Sequence, residues 1–284
     1  MILIVLRSLI FNVVFVTFNA LWFILAVAAW FMPRGSMHLF ARGWARVVVW
    51  LHRVIIGARL EIRGRERIPE GPILVAAKHQ SAWETIALLL PFRKSTYILK
   101  QELLDIPLFG RHLKCADQIA IDRGQKAQAL AKMMVEARAR LAEGAQIIIF
   151  PEGTRRPAGA MPNYKIGATR LYTRFNVPCV PIAMTSGLAW PRSSFLHYPR
   201  PILVEFLEPI PAGLPAAEFQ QRMQEAIETN TDRLLAEAGF TPAEHEAARK
   251  ASIEKDAAAA AKDAAERKPP QPSDESAPDS QPKA

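Results

Sequence analysis

Ile73-Leu74-Val75-Ala76-Ala77-Lys78-His79-Gln80-Ser81-Ala82-Trp83-Glu84-Thr85 is the stretch on which the reading of this 284-residue chain turns. Five apolar residues in a row, bounded by polar ones, read as a strand buried on both faces, the kind found inside parallel sheets. The residues from Trp83 to Leu90 then carry helical periodicity. His79 and Glu84 stand five apart, which on one continuous helix is about 140° of rotation, so they would not share a face. They meet if His79 lies in the strand-to-helix turn and Glu84 in the first helical turn. A carboxylate would then accept one ring N–H and leave the second nitrogen free to take a proton. The C-terminal end of a strand is where open α/β sheets keep their sites. A histidine capping a turn near a surface glutamate accounts for the same residues.

Outward from this stretch the pattern repeats. Strands are expected at Thr96–Leu99, Gln118–Ile121, Gln146–Phe150, Cys179–Ala183 and Ile202–Phe206. Helices are expected at Gln125–Glu143, Tyr164–Phe175 and about Ala216–Ala238. Strand–helix alternation predicts an α/β domain over residues 60–240 with a sheet parallel at least in part. Residues 241–284 lack aromatic residues and include Lys268-Pro269-Pro270-Gln271-Pro272, so this tail is expected to be largely disordered, with a weak helix over about 242–266 and disorder in the last eighteen or so residues, and to carry no chemistry.

The N-terminus is of a different kind. Residues 1–60 hold six arginines (Arg7, Arg34, Arg42, Arg46, Arg53, Arg59) and no lysine, aspartate or glutamate, within a chain whose net charge is +9. Ser8 to Met32 is an uncharged run of 25 residues, which as a helix reaches about 37 Å and could cross a hydrocarbon core of about 30 Å. A cleaved signal peptide and a buried core helix remain alternatives for it. After Pro33-Arg34-Gly35, the stretch Ser36–Ile56 places Arg42, Arg46 and Arg53 within about 40° of each other on a helix. That stripe suits an anionic lipid surface; an ordinary surface helix has the same pattern. Residues 1–59 are thus expected to be membrane-anchoring helices, either spanning the bilayer or dipping into one leaflet. The arginines after residue 32 place the remainder on the cytoplasmic side by the positive-inside rule.

Other chemistry-bearing groups follow predicted strands. Phe150-Pro151-Glu152-Gly153-Thr154-Arg155 offers backbone N–H groups and a guanidinium to an oxyanion or phosphate, or is a plain strand-to-loop turn. Asp122-Arg123 ends another strand, and Lys100 and Pro107-Leu108-Phe109-Gly110 form an intervening loop region. No GxSxG elbow, Walker loop or GxGxxG occurs. Cys115 and Cys179 read as small core residues, and the histidines show no metal spacing. A general base acting without a covalent enzyme intermediate is the chemistry left. No nucleic-acid module is present, and the arginines cluster beside an apolar segment, so nucleic acid is not an expected partner.

Taken in order, His79-x4-Glu84, the Lys100…Pro107-Leu108-Phe109-Gly110…Ile121-Asp122-Arg123 region, Phe150-Pro151-Glu152-Gly153-Thr154-Arg155 and Val177-Pro178-x-x-Pro181 resemble the motifs of the glycerolipid acyltransferase family, in particular its bacterial lysophosphatidate-acylating members. The resemblance covers about residues 60–210. One position departs from it: the family's first motif is usually His-x4-Asp, and here the acid is Glu84. The resemblance implies a mixed α/β sheet flanked by helices and preceded by a membrane-associated helix pair. It implies that His79 takes the proton of the free 2-hydroxyl of lysophosphatidic acid and that Glu84 holds His79. Lys100, Arg123 and Arg155 would hold the phosphate, and Glu152, Gly153 and Thr154 would shape that site. The acyl donor would be acyl-CoA or an acyl-acyl carrier protein, the product phosphatidic acid, and no cofactor or metal would be bound. The place would be the bacterial inner membrane, with the catalytic domain on its cytoplasmic side. Another lysophospholipid or a lyso-aminolipid as acceptor, and a non-catalytic lipid-binding protein, are the competing readings.

Overall fold

The computed structural model describes residues 1–32, 35–122 and 126–266. Its seven strands are β1 (Leu60–Arg63), β2 (Ile73–Ala77), β3 (Ser95–Lys100), β4 (Ile119–Ile121), β5 (Gln146–Ile149), β6 (Cys179–Met184) and β7 (Ile202–Phe206). They form one sheet in the order β1-β7-β6-β2-β5-β3-β4. Every neighbouring pair is parallel except β6 and β7, so the β1–β7 edge runs against the other five strands. The sheet is therefore mixed, as expected.

All five residues of β2 are buried because both faces of the sheet are covered. Ile73, Val75 and Ala77 pack into a cluster with Ile148, Val180, Val204 and Phe206 on one face. Leu74 and Ala76 point the other way, onto Ile147, Met133, Leu171, Tyr172 and Met223. This alternation is the period-two geometry of a strand, and it explains why the sequence shows an unbroken apolar run.

The helices are α1 (Ile2–Ala26), α2 (Ser36–Leu51), α3 (Trp83–Ala87), α4 (Phe109–Cys115), α5 (Lys126–Ala142), α6 (Gly167–Phe175), α7 (Ser186–Ala189), α8 (Ala216–Glu237) and α9 (Pro242–Glu266). The segment Phe109–Cys115, expected to begin in a loop, is helical because Gly110 lets the chain turn against the Leu104 carbonyl. A Cβ at Gly110 would lie 2.0 Å from that oxygen. Cys115 is exposed rather than buried, whereas Cys179 is in the core, where burial pushes its thiol well above its ordinary range.

Residues 242–266, read from the sequence as a weak helix, form α9. The helix is held by specific contacts. Asp256 pairs with Arg156 at 2.7 Å, Ser252 Oγ accepts from the Met161 N–H at 3.0 Å, and His245 meets Asp232 at 2.9 Å. The remainder of the tail, 267–284, lies outside the described residues.

The N-terminal helices are built into the domain. Phe11, Ala45, Val48 and Ile56 belong to the same apolar cluster as Ile73 and Val75 of the sheet. Near its start α1 is tied to the segment after α7: Asn12 Nδ2 donates to the Phe195 carbonyl at 2.9 Å, and the His197 N–H donates to Ser8 Oγ at 2.9 Å. Near its end, Phe23 lies 5.6 Å from the Phe109 ring of α4, and Trp30 Nε1, one turn beyond, donates to His112 Nδ1 at 2.9 Å. Within the helix these contacts run from Ser8 to Phe23, 15 residues apart and about 22 Å along its axis. Its other face exposes Leu9, Val13, Val16, Leu21, Ile24 and Leu25.

Candidate active site

Register explains which motifs meet. In the sheet, Ala76 of β2 pairs with Ile149 of β5, and Ala77 pairs with Ile182 of β6. The three strands are parallel, so the chain leaving each emerges at the same edge. His79, the Phe150–Arg155 motif and Ser186 are thereby brought together from distant parts of the sequence.

The first turn fixes His79. Its Nδ1 lies 2.8 Å from Glu84 Oε1, and Glu84 is fully buried. That same oxygen accepts the backbone N–H of Gln80 at 2.7 Å and of Ser81 at 2.6 Å. Ser81 Oγ in turn accepts from the Trp83 N–H at 3.0 Å. The pattern is a variant of a capping box, legible in the Ser81-x-x-Glu84 spacing, so Glu84 both starts α3 and holds the imidazole. An oxygen that already accepts two N–H groups receives a third, so Nδ1 carries the proton and Nε2 is left as the basic nitrogen. The His79 ring stacks on Phe150, with centroids 3.9 Å apart.

The second turn packs beside it. Gly153 adopts φ +66°, a region other residues enter with strain, and its N–H closes the turn onto the Phe150 carbonyl at 2.9 Å. The Arg156 N–H donates to the His79 carbonyl at 2.8 Å, so the two motifs are bonded through their backbones.

Glu152 faces inward. Its carboxylate pairs with buried Lys78 at 3.1 Å and accepts weakly from the His79 N–H at 3.4 Å. Lys78 also bonds both oxygens of Glu228 on α8, at 2.8 and 3.0 Å, and Tyr164 donates to Glu228 at 2.7 Å. Burial pushes the Glu152 carboxyl above its ordinary range, and Lys78 opposes that shift. Glu152 therefore ties the two loops together and shapes the turn that carries Arg155.

These residues open onto a cavity of about 960 Å³. Its apolar walls include Trp22, Phe23, Phe40 and Trp44 of the N-terminal helices and Leu89, Ile98 and Leu130 of the domain. Its polar lining includes His79, Lys100, Glu152, Gly153, Thr154 and Arg155. Lys100 and Thr154 are exposed, and Arg155 is half-buried. Arg123 lies outside the described residues. Two cations that the sequence reading did not single out, Lys165 and Arg192, also line the cavity, and Arg192 donates to the Arg155 carbonyl at 2.6 Å. Neither has a motif signature; they arrive through tertiary folding. Among the described residues, no group of three or more His, Cys, Asp or Glu side chains is arranged to hold a metal ion.

Comparison with known proteins agrees with this geometry. Residues 59–185 match the acyltransferase family model. The 1-acyl-sn-glycerol-3-phosphate acyltransferase of Pseudomonas aeruginosa is 41% identical over 171 residues, covering 60% of this chain and 66% of that protein. The alpha form from Homo sapiens is 35% identical over 137 residues, covering 47% of this chain and 48% of the relative. The chain thus spans between about half and two thirds of the length of these relatives. The crystal structure of the 1-acyl-sn-glycerophosphate (LPA) acyltransferase from Thermotoga maritima superposes with a TM-score of 0.63 at 21% identity, covering 83% of this chain and 96% of that one, a likeness of fold. Residues 59–185, with the His79–Glu84 and Phe150–Arg155 motifs at one edge of the sheet, thus form a domain that matches the acyltransferase family.

Proposed function

We propose that the protein is a 1-acylglycerol-3-phosphate O-acyltransferase, transferring a fatty acyl group from an acyl thioester to the 2-hydroxyl of lysophosphatidic acid to give phosphatidic acid in phospholipid synthesis. The observation that carries this reading is the His79–Glu84 pair, 2.8 Å apart at the polar end of a long apolar cavity flanked by Lys100 and Arg155. The names of the Pseudomonas and human relatives support the choice of acceptor.

In this reading Lys100 and Arg155 receive the acceptor's phosphate, and the apolar cavity receives acyl chain. His79 Nε2 takes the hydroxyl proton as the oxygen attacks the thioester carbonyl carbon. The tetrahedral intermediate collapses with cleavage of the C–S bond, and the imidazolium returns its proton to the departing sulfur. Glu84 supports the imidazolium between these steps. The donor is acyl-CoA or an acyl-acyl carrier protein.

The helix pair also fits a lipid substrate. Because α1 meets the domain near both ends, it lies along the domain rather than projecting from it, and its exposed apolar face together with Arg46 and Arg53 suits the surface of a bilayer with anionic lipid. This favours immersion in one leaflet, on the cytoplasmic side of the bacterial inner membrane, over a spanning helix.

The test is transfer by the purified full chain, crossing the two donors with a panel of lyso-acceptors. Phosphatidic acid should form preferentially from lysophosphatidic acid. His79→Ala should lower the rate by about 10²- to 10⁴-fold while the protein remains membrane-associated. Retained transfer in that variant would overturn the mechanism, and preference for another lyso-acceptor would overturn the substrate.

A further inference from the structure

We propose that Ser186 is a positioning residue for the His79–Glu84 pair, and that the Thr185-Ser186-Gly187 turn after β6 is built to hold this pair in place. The inference rests on His79 acting as the general base.

Glu84 Oε1 already accepts from His79 and from the N–H groups of Gln80 and Ser81. Its other oxygen, Oε2, accepts the Ser186 hydroxyl at 2.7 Å across 102 residues of sequence, and both side chains are fully buried. The contact belongs to a larger fit. The Gly187 N–H donates at 3.1 Å to Oε1 of Gln80, itself fully buried. A Cβ at position 187 would come within 2.9 Å of the Gln80 Cβ, so glycine is what lets the turn approach this closely. On its other side the turn is pinned to the neighbouring strand: the Thr185 N–H donates to the Leu203 carbonyl at 3.0 Å, and Thr185 Oγ1 accepts from the Leu203 N–H at 2.9 Å. The hydroxyl is therefore delivered to Glu84 by a rigid element, through a sheet pairing that does not involve β2.

The arrangement also gives a reason for glutamate at a position where the family pattern has aspartate. The extra methylene, about 1.5 Å, carries Oε2 to Ser186 while Oε1 stays on His79. With both oxygens fixed the carboxylate cannot rotate, so the imidazole is held with Nε2 toward the cavity. A hydrogen bond to a charged acceptor contributes more than one between neutral partners, and a buried one strands its partner when removed.

The test compares wild type, Ser186→Ala, Glu84→Asp and the double variant in acyl transfer to lysophosphatidic acid. Ser186→Ala should lower kcat by about tenfold or more with the KM for both substrates unchanged. It should also move the acidic limb of the kcat/KM profile to higher pH. A carboxylate relieved of one donor has more charge left to stabilise the imidazolium, which must lose its proton before His79 can act as a base. In the Glu84→Asp background, where the carboxylate no longer reaches position 186, the second substitution should change nothing further. Equal losses in both backgrounds, or a fall in kcat with an unmoved acidic limb, would overturn the proposal. If Ser186→Ala does not fold, Ser186→Cys, nearly the same in volume and a weaker donor, is read in the same way. His79→Ala runs alongside: activity retained there defeats the general-base reading itself, whereas a dead His79→Ala with a normal Ser186→Ala defeats the Ser186 proposal alone.

Discussion

Acid should loosen the N-terminal helix from the domain, and one substitution should prevent half of the effect. His52, at the end of α2, is 1% exposed in an aromatic cluster that joins α1 to the loop after α7. Its ring lies 5.1 Å from Phe11, 5.3 Å from Trp190 and 5.4 Å from His197. His52 Nε2 and His197 Nδ1 are buried without hydrogen-bond partners among the described residues. Burial pulls His52 from 6.5 down to about 3, and His197 down to about 4. A histidine whose value is depressed by folding contributes its full stability above the unfolded value. That contribution is lost as pH falls below it, because the unfolded chain takes up a proton that the folded chain refuses. At pH 5, about 1.5 units below the unfolded value, the loss is about 2 kcal/mol per histidine and about 4 kcal/mol for the pair. His52→Phe keeps a ring of similar size against Phe11 and Trp190 and leaves no partner stranded. Thermal unfolding of both proteins in the same mild detergent at pH 7.5 and pH 5 cancels the other titrating groups. The variant should lose about 2 kcal/mol less on acidification, about 4–8 °C in apparent Tm. Equal acid-induced shifts in the two proteins would refute the claim that buried, neutral His52 clamps α1.

Three further outcomes follow from the same geometry. Lys78→Met should destabilise the fold by about 3–5 kcal/mol, because Glu152 and Glu228 lose their shared buried cation; an unchanged urea midpoint would contradict this. Asp256→Ala should release Arg156, whose backbone N–H bonds His79, and speed tryptic cleavage within 242–266 while leaving the sheet's far-ultraviolet signal intact. Gly110→Ala should lower soluble yield or Tm markedly, since the new methyl meets the backbone of Leu104 rather than a movable side chain; wild-type stability would show that α4 can shift.

The sequence was most readable where a single strand or helix determines the pattern. Ile73–Ala77 and Ile202–Phe206 were delimited to the residue, because runs of buried β-branched and aliphatic residues leave little choice. β1 escaped notice: Leu60-Glu61-Ile62-Arg63 is a half-exposed edge strand with charges at alternate positions, and it pairs only because β7 lies beside it. The His79–Glu84 contact was legible from local spacing, since both residues belong to one turn. Ser186, Lys78 and Arg192 were not, because each meets its partner through sheet pairing or helix packing across at least 37 residues.

The walls of the cavity have a practical consequence. Trp22, Phe23, Phe40 and Trp44 belong to the same two helices that look, in sequence, like a detachable leader. A version trimmed at residue 59 to make it easier to handle in water would not be a free-floating enzyme that had merely lost its mooring. It would be a vessel with one side cut away, its hydrophobic interior open to solvent, and its first strand left without the helix that delivers it to the sheet's edge.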